Sequence, residues 1–503
     1  MQVTKDNFDK SFQIFSELVN SPKTEFISYD FEMTGIRTTE KESYNDMPFE
    51  RYEKCSQVAK KYALIQAGIT VYHKDDSQYT AYPFNAYIIR RKIENTSYKP
   101  EIVLESGAVR FNAEHGCDFN QWIKNSATYL DREQYNNLLK EVEQNSNLSQ
   151  VEKNNALDNI NKSLGFTKFF ELVGKRNVPI VGHNCYMDLL FLHNSFIGTL
   201  PQYYSKKLSI EDEEEQKQSP EIYDEESKEY SIQKKTFKES IFSNFQKLFD
   251  SKAISVSFFK EFMTEDNKST SLENLKQFIY TNLQKYRLAD IKLAPGVYQD
   301  YNWDDPNNQQ KFHEAGFDSY LTGWIFLQLR QFYMENFKKT EKDFENTFLN
   351  TINVMNNRFF LTFGQDEDIL QTQILNGIIS DDILHIFSHF EPADQQRELQ
   401  QEKMEKLQKQ IQEYFESQQY STRVRTSIFN QNFVFIELSL QNNKDQVDIN
   451  NLKKKFENDL HEIQKMAQEL SIKEYEQCIF QQKHNNKKFN NGKPKNNKQQ
   501  HKK

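Results

Sequence analysis

Residues 26–35 read FISYDFEMTG, a β-type run that sets two carboxylates, Asp30 and Glu32, two positions apart before a turn at Gly35. In an extended strand alternate side chains share a face, so Asp30 and Glu32 point one way while Ile27, Tyr29, Phe31 and Met33 point the other. Two like charges held together in this way call for a cation or a proton between them. Taken alone, a DxE pair is more often the polar face of a half-buried strand. Its meaning therefore depends on what the rest of the chain brings to it.

Outward from this run, YALIQAGITVYH (62–73) and FNAYIIRRK (84–92) read as two further strands, separated by the polar segment KDDSQYTAYP. From about residue 24 to 345, β-type runs alternate with helical stretches, which predicts an α/β layer fold with a mixed central sheet. Residues 205–240 interrupt it with an acidic stretch poor in apolar residues, expected to be a mobile insertion. After 345, NRFFLTFG, SDDILHIFSHF and RVRTSIFNQNFVFIELSL read as strand, helix and strand pair. That order predicts a small α+β module over 348–480, similar to an RNA-recognition fold, with a Gln/Glu/Lys-rich helix at 395–418 inserted in it. Residues 483–503 hold lysines, histidines and amides but no acid, and read as a disordered basic tail.

Two later segments add to the carboxylates of the first. In VPIVGHNCYMDLLF (178–191) an apolar strand end leads through Gly182 into a helix, with Asn184 and Asp188 one helical turn apart and expected on one side of it. In FHEAGFDSYLTG (312–323), His313 and Asp318 are five apart, about 140° around a regular helix, so they cannot share a helical face. His313 is expected on the loop or first turn, free to act as a base, and Asp318 on the helix itself. A site holding two divalent cations over a phosphodiester needs acidic oxygens from several segments and one titratable base beside them. Two other carboxylates compete for the third position, Asp250 in LFDSKA and Asp290 in LADIKL. Neither has a preceding strand and asparagine.

With 503 residues the chain has room for two or three domains and at least one large core. An aromatic share of 14% separates most of it from a disordered acidic polymer. The net charge of −9 argues mildly against a surface coated with nucleic acid but says nothing about one cleft. The start MQVTKDNFDKSF lacks a basic segment followed by an apolar run, and no stretch of about 18 apolar residues occurs, so neither secretion nor membrane insertion is expected. Cys55, Cys117, Cys185 and Cys478 form no CxxC pair, which fits a reducing compartment, nucleus or cytoplasm.

The succession DxE, NxxxD, HxxxxD resembles the histidine-containing branch of the DEDD exonucleases, which have a ribonuclease H-like fold. Longer runs carry the likeness further: YDFEMTGI, FERYEKCSQVAKKYALIQAGITVY, GCDFNQWIKNSATYL, VGHNCYMDLLFLHNSFIGTLP and HEAGFDSYLTG are similar to the poly(A)-specific ribonuclease (PARN) family. The resemblance covers most of residues 20–330. It implies a nuclease domain over 1–347 in which Asp30, Glu32, Asp188 and Asp318 hold two Mg²⁺ ions, or Mn²⁺ in their place, and His313 is the general base. The implied reaction removes 3′-terminal nucleotides from RNA as 5′-monophosphates. Members of the family often form homodimers. LSQVEKNNALDNINKSLGFTKFFELV (148–173) leaves too little room for the extra nucleic-acid-binding domain of the best-known deadenylating members. The chain resembles instead the shorter relatives that trim small nuclear RNAs or piRNAs. A catalytically silent RNA-binding scaffold of the same fold and a DNA 3′ exonuclease are the alternatives. The five intact positions favour an enzyme.

Overall fold

The structure is a computed structural model describing residues 1–40, 42, 46, 48–203, 235–258, 270–283, 285–303, 311–355, 357 and 359–365, with the backbone of strand residues 369–370, 383–389, 422–430 and 433–440. Two compact units divide the chain, Met1–Tyr44 with Glu50–Ile378, and Asn45–Phe49 with Ile379–Lys503.

The strands of the first unit are β1 (Gln2–Val3), β2 (Thr24–Met33), β3 (Leu64–Asp75), β4 (Gln78–Ile89), β5 (Ala127–Thr128), β6 (Ile180–Gly182), β7 (Leu248–Asp250), β8 (Asp290–Leu293), β9 (Thr351–Asn353), β10 (Phe359–Thr362) and β11 (Ile369–Leu370). Their order among the described residues is β1-β4-β3-β2-β6-β7-β9-β10-β11, with β5 and β8 also on β4. An antiparallel meander, β4-β3-β2, is continued by β6, β7 and β9 parallel to β2. This is the ribonuclease H-like arrangement, and it agrees with the mixed α/β sheet expected from the sequence. The polar segment after β3 is not a long loop: Asp75 pairs with Gln78 across two residues, and Asp76 takes a left-handed φ of 54°.

One helix, Ala315–Asn336, lies across β2, β3 and β4 and is buried without interruption from Ala315 to Arg330. A helix covered on all sides has no amphipathic stripe, so its sequence shows no polar face to read. Small residues let it approach the sheet. A Cβ at Gly68 of β3 would fall 1.8 Å from the Ala315 carbonyl oxygen, and one at Gly323 would fall 2.2 Å from the Tyr72 ring. Two polar pairs lie in the contact: Ser28 Oγ donates to Ser319 O at 2.6 Å, and Thr70 Oγ1 meets Ser319 Oγ at 2.9 Å. Phe26, Tyr72, Val181, Phe249, Leu321, Ile325 and Phe326 fill the apolar space between helix and sheet.

Residues 148–173, expected to be too short for another domain, form helices. Gln150–Ser163 opens on a Ser149–Glu152 capping box and packs on Arg132–Gln144 over a small core of Leu138, Val142, Ala156 and Ile160.

Two expectations for the C-terminal part need correction. NRFFLTFG is not part of a separate module beginning at 348: β9 pairs with β7, and β10 with β9, so the first unit runs on to Ile378. Phe359, Phe360, Leu361 and Phe363 are buried. SDDILHIFSHF is not a helix, because residues Ile383–His389 form a strand, β12, beside β13 (Thr422–Asn430) and β14 (Phe433–Leu440) in the antiparallel order β12-β14-β13. The acidic segment 205–234, the 395–418 helix and the 483–503 tail lie outside the described residues, while 237–240 of the expected insertion belong to the helix Phe237–Asn244.

Candidate active site

β6 pairs with β2 only at Ile27 and Ser28 and then ends at Gly182, so among the described residues the edge of β2 beyond Ser28 has no strand beside it on that flank. The helix Tyr186–Leu192 starts there and brings Asp188 in its first turn. The backbone N–H of Phe31 donates to the Asp188 carboxylate, which ties this helix to the strand between Asp30 and Glu32. As expected from strand alternation, Phe31 turns away from the carboxylates into the core, against Phe170 and Phe196. The group gathers where strands β2 and β6 end at their carboxyl termini, the usual place for a site in an α/β sheet.

From the opposite side the long helix delivers Asp318. Its first turn is anchored to the sheet by two side chains that accept backbone N–H groups: Gln66 Oε1 from Ala315 at 3.1 Å and Asn85 Oδ1 from Gly316 at 3.0 Å. His313 lies on the loop before the helix with a left-handed φ of 69°, and its N–H donates to Asp318 Oδ2 at 2.8 Å. Ligand atoms of Glu32, His313 and Asp318 all lie within 4.8 Å of one another. Asp30 and Asp188 adjoin this trio closely enough to perturb its charges.

The four carboxyls all titrate above their ordinary range. Burial is the first cause for each. Asp30 is also raised by Asp318, Asp188 and Glu32, and Glu32 by Asp318 and Asp188. Burial pushes Asp188 up to about 7 against the N–H donated by Phe31, and Asp318 up to about 7 against that donated by His313. Such crowding suits a hard divalent cation, which would relieve the repulsion and take oxygen ligands from three chain segments. His313 is exposed, yet partial burial, and after it the nearby His115, holds the imidazole below its ordinary value while Glu273 pulls it up.

The competing carboxylates fall elsewhere. Asp250 does follow a strand, contrary to expectation, since it ends β7, but it is wholly buried and its oxygens accept N–H groups from Asn184, Lys252 and Asn353, each at 2.8 Å. Asp290 sits on β8 at the far flank of the meander and accepts from Gln78 Nε2 at 2.6 Å. Asn184 departs from expectation: it precedes the helix in a left-handed conformation, φ 54°, with Oδ1 accepting from Asn353 Nδ2 at 3.0 Å, so it does not share a helical face with Asp188.

Sequence reasoning missed the residues around His313. Its ring lies 4.7 Å from that of Phe111 and 4.4 Å from that of His115, at 72° and 76°. Phe111 and His115 stand four apart at the end of the helix Ser106–Glu114, a spacing that marks a shared face. Nothing in it points to a partner 198 residues away. Phe111 and Ile36 remain 40% and 59% exposed.

The sequence model of the CAF1 family ribonucleases matches residues 3–208 and 227–326, more than half of the chain. Among curated proteins, the chain is 24% identical to the pre-piRNA 3′-exonuclease trimmer of Bombyx mori over 419 residues, covering 65% of this chain and 71% of that one. It is 21% identical to the poly(A)-specific ribonuclease PNLDC1 of Mus musculus over 422 residues, 67% of this chain and 72% of that one. With the poly(A)-specific ribonuclease PARN of Danio rerio it shares 30% identity over 151 residues, 29% of this chain and 22% of that one. Among solved structures, the S. pombe Pop2p structure with bound Mg²⁺ and Mn²⁺ aligns with a TM-score of 0.37 at 13% identity, over 70% of this chain and 98% of that one.

Proposed function

Because the chain belongs to the CAF1 family of ribonucleases and is a 3′-to-5′ exoribonuclease, we propose that it shortens RNA from a free 3′ end, releasing 5′-nucleoside monophosphates, with Asp30, Glu32, Asp188 and Asp318 as ligands for two Mg²⁺ ions and His313 as general base. The observation that carries this reading is the convergence of Glu32, His313 and Asp318 within 4.8 Å beside Asp30 and Asp188. The silent-scaffold alternative gives way to family membership. Mn²⁺ would be accepted in place of Mg²⁺, since both take oxygen ligands.

When bound, the cations supply a water of lowered pKa and charge stabilisation at the leaving 3′ oxygen. The chain's own residues do the rest. Phe31 N–H helps orient the Asp188 carboxylate, and His313 N–H holds Oδ2 of Asp318, leaving Oδ1 to face a cation. His313, exposed on the loop before the helix, takes the proton of the attacking water at a ring nitrogen. Exposed Phe111 and Ile36 offer an apolar surface on which a terminal base can stack.

The substrate we propose is the 3′ extension of a small non-coding RNA, with oligo(A) or poly(A) tails as the second choice. Support comes from the long match to the pre-piRNA trimmer, whereas the equally long match to the poly(A)-specific ribonuclease PNLDC1 and the short one to PARN stand behind the second choice. Digestion of one 5′-labelled RNA carrying either a mixed or an oligo(A) 3′ end, beside the same DNA, tests this. Equal rates on both RNA ends and none on DNA support trimming. A strong preference for oligo(A) replaces it with deadenylation, and cleavage of DNA would refute RNA selectivity. A homodimer and a nuclear or cytoplasmic location complete the reading; sedimentation and imaging of the full chain test them.

A further inference from the structure

The backbone at His313 is fixed by its N–H bond to Asp318, but among the described residues no hydrogen bond holds its imidazole. A base on an exposed loop needs something to stop its ring from turning. That constraint comes from a helix end far away in sequence. His115 is the C-terminal cap of the helix Ser106–Glu114, and Gly116 turns the chain away behind it with φ 87°. Its own ring is locked: Nδ1 lies 2.8 Å from Phe111 O, so Nδ1 carries the hydrogen and donates, and the ring packs on Phe111 at 4.1 Å. The edge-to-face contact with His313 follows at 4.4 Å.

This helix is in turn tied to the end of β2. Glu105 N donates to Thr34 O at 2.8 Å, and Asn112 Nδ2 to Met33 O at 3.3 Å. The strand that carries Asp30 and Glu32 therefore also sets where His115 stands. We propose that His115 is a positioning residue for the reaction: its ring is the wall that keeps the His313 imidazole over the carboxylates, a ring contact serving where a hydrogen bond would otherwise orient the base. The inference rests on the reading of His313 as general base.

The test uses the full chain with Mg²⁺ and 5′-labelled RNA, comparing wild type with His115→Ala, His115→Phe and His313→Ala, together with NMR of the His313 ring in protein labelled at histidine ¹³Cε1. An edge-to-face pair corresponds to about 3- to 10-fold in rate. His115→Ala should lower kcat by that factor with KM nearly unchanged, and its His313 ring signal should show increased mobility. His115→Phe, which keeps a ring in place, should restore both. Wild-type kcat in His115→Ala, a rise in KM with kcat unchanged, or failure of Phe to restore the rate would overturn the proposal. A wild-type rate in His313→Ala would instead refute the base itself, while the ring signal would still report whether His115 confines it.

Discussion

Asp318 Oδ2 accepts the backbone N–H of His313 at 2.8 Å, so one carboxylate both faces its acidic neighbours and fixes the loop that carries the histidine. Asp318→Asn separates these two tasks. The amide oxygen can still accept from His313, but the charge is lost. The account predicts that the loop keeps its place while activity drops by about 10³-fold or more, as expected for loss of a group that stabilises transition-state charge. Steady-state cleavage with the melting temperature measured alongside checks it. Unfolding of the variant would show that the carboxylate's role is structural.

Relief of repulsion gives a second expectation. Asp30 is held well above its ordinary value by burial and by three carboxylate neighbours. Asp30→Ala should abolish cleavage yet leave the metal-free protein at least as thermally stable as wild type. Added Mg²⁺ should raise the melting temperature of wild type more than that of the variant. A large drop in stability of the metal-free variant would contradict the electrostatic picture.

Asp250 answers differently. Asp250→Ala leaves three N–H groups, the buried one of Asn353 and the part-buried ones of Asn184 and Lys252, without their acceptor. The cost should be about 3–5 kcal/mol in denaturant unfolding. If Asp250 were a metal ligand instead, Asp250→Asn would keep full stability and lose Mg²⁺ affinity.

Gly68 lies where the long helix presses on β3. A Cβ there would sit 1.8 Å from the Ala315 carbonyl, an approach only backbone movement can relieve. Gly68→Ala should cost about 3 kcal/mol and, by lifting the helix start, separate Asp318 from β2 and reduce activity further than the stability loss explains. Wild-type stability would contradict the contact.

Two histidines, His193 buried and His183 half-buried, set an acid limit. Burial and then Lys252 push His183 down to about 3, with Nδ1 bonded to Ser251 Oγ and Nε2 to Thr270 O. Burial pushes His193 down to about 4. Both stay neutral in the folded chain where the unfolded chain would protonate them, so the unfolded state binds more protons between these values and the ordinary 6.5. Their contribution is complete above pH 6.5 and is lost as pH falls through that window, by about 1.4 kcal/mol per pH unit for each. Unfolding in Mg²⁺ from pH 7.5 to 5 should show His183→Gln with the wild-type slope above pH 6.5 and a slope shallower by up to that amount below it. Identical slopes would contradict it.

The parts of the site legible in sequence are those set by local periodicity. Alternation along β2 places Asp30 and Glu32 together and Phe31 in the core, and the impossible helical angle between His313 and Asp318 correctly assigns one to the loop. What stays hidden depends on contacts between distant segments. The left-handed Asn184 is held by Asp250 and Asn353, and His115 meets His313 only because a helix end is bonded to the end of β2. The misread strand Ile383–His389 follows Asp381 and Asp382, which look like the acidic start of a helix, and only pairing with β14 settles it as a strand. The short turn at 76–77 is hidden in the sequence because β4 begins with Gln78, Tyr79 and Thr80, whose polar groups mask the alternation that turns Tyr79 and Ala81 inward.

The most direct measurement is the product pattern from 5′-labelled RNA incubated with the full chain and Mg²⁺, with EDTA-treated, Asp30→Ala and His313→Ala samples beside it. The account predicts a ladder that shortens stepwise from the 3′ end in wild type alone, with 5′-monophosphates released. A ladder that persists in Asp30→Ala or without metal would contradict it.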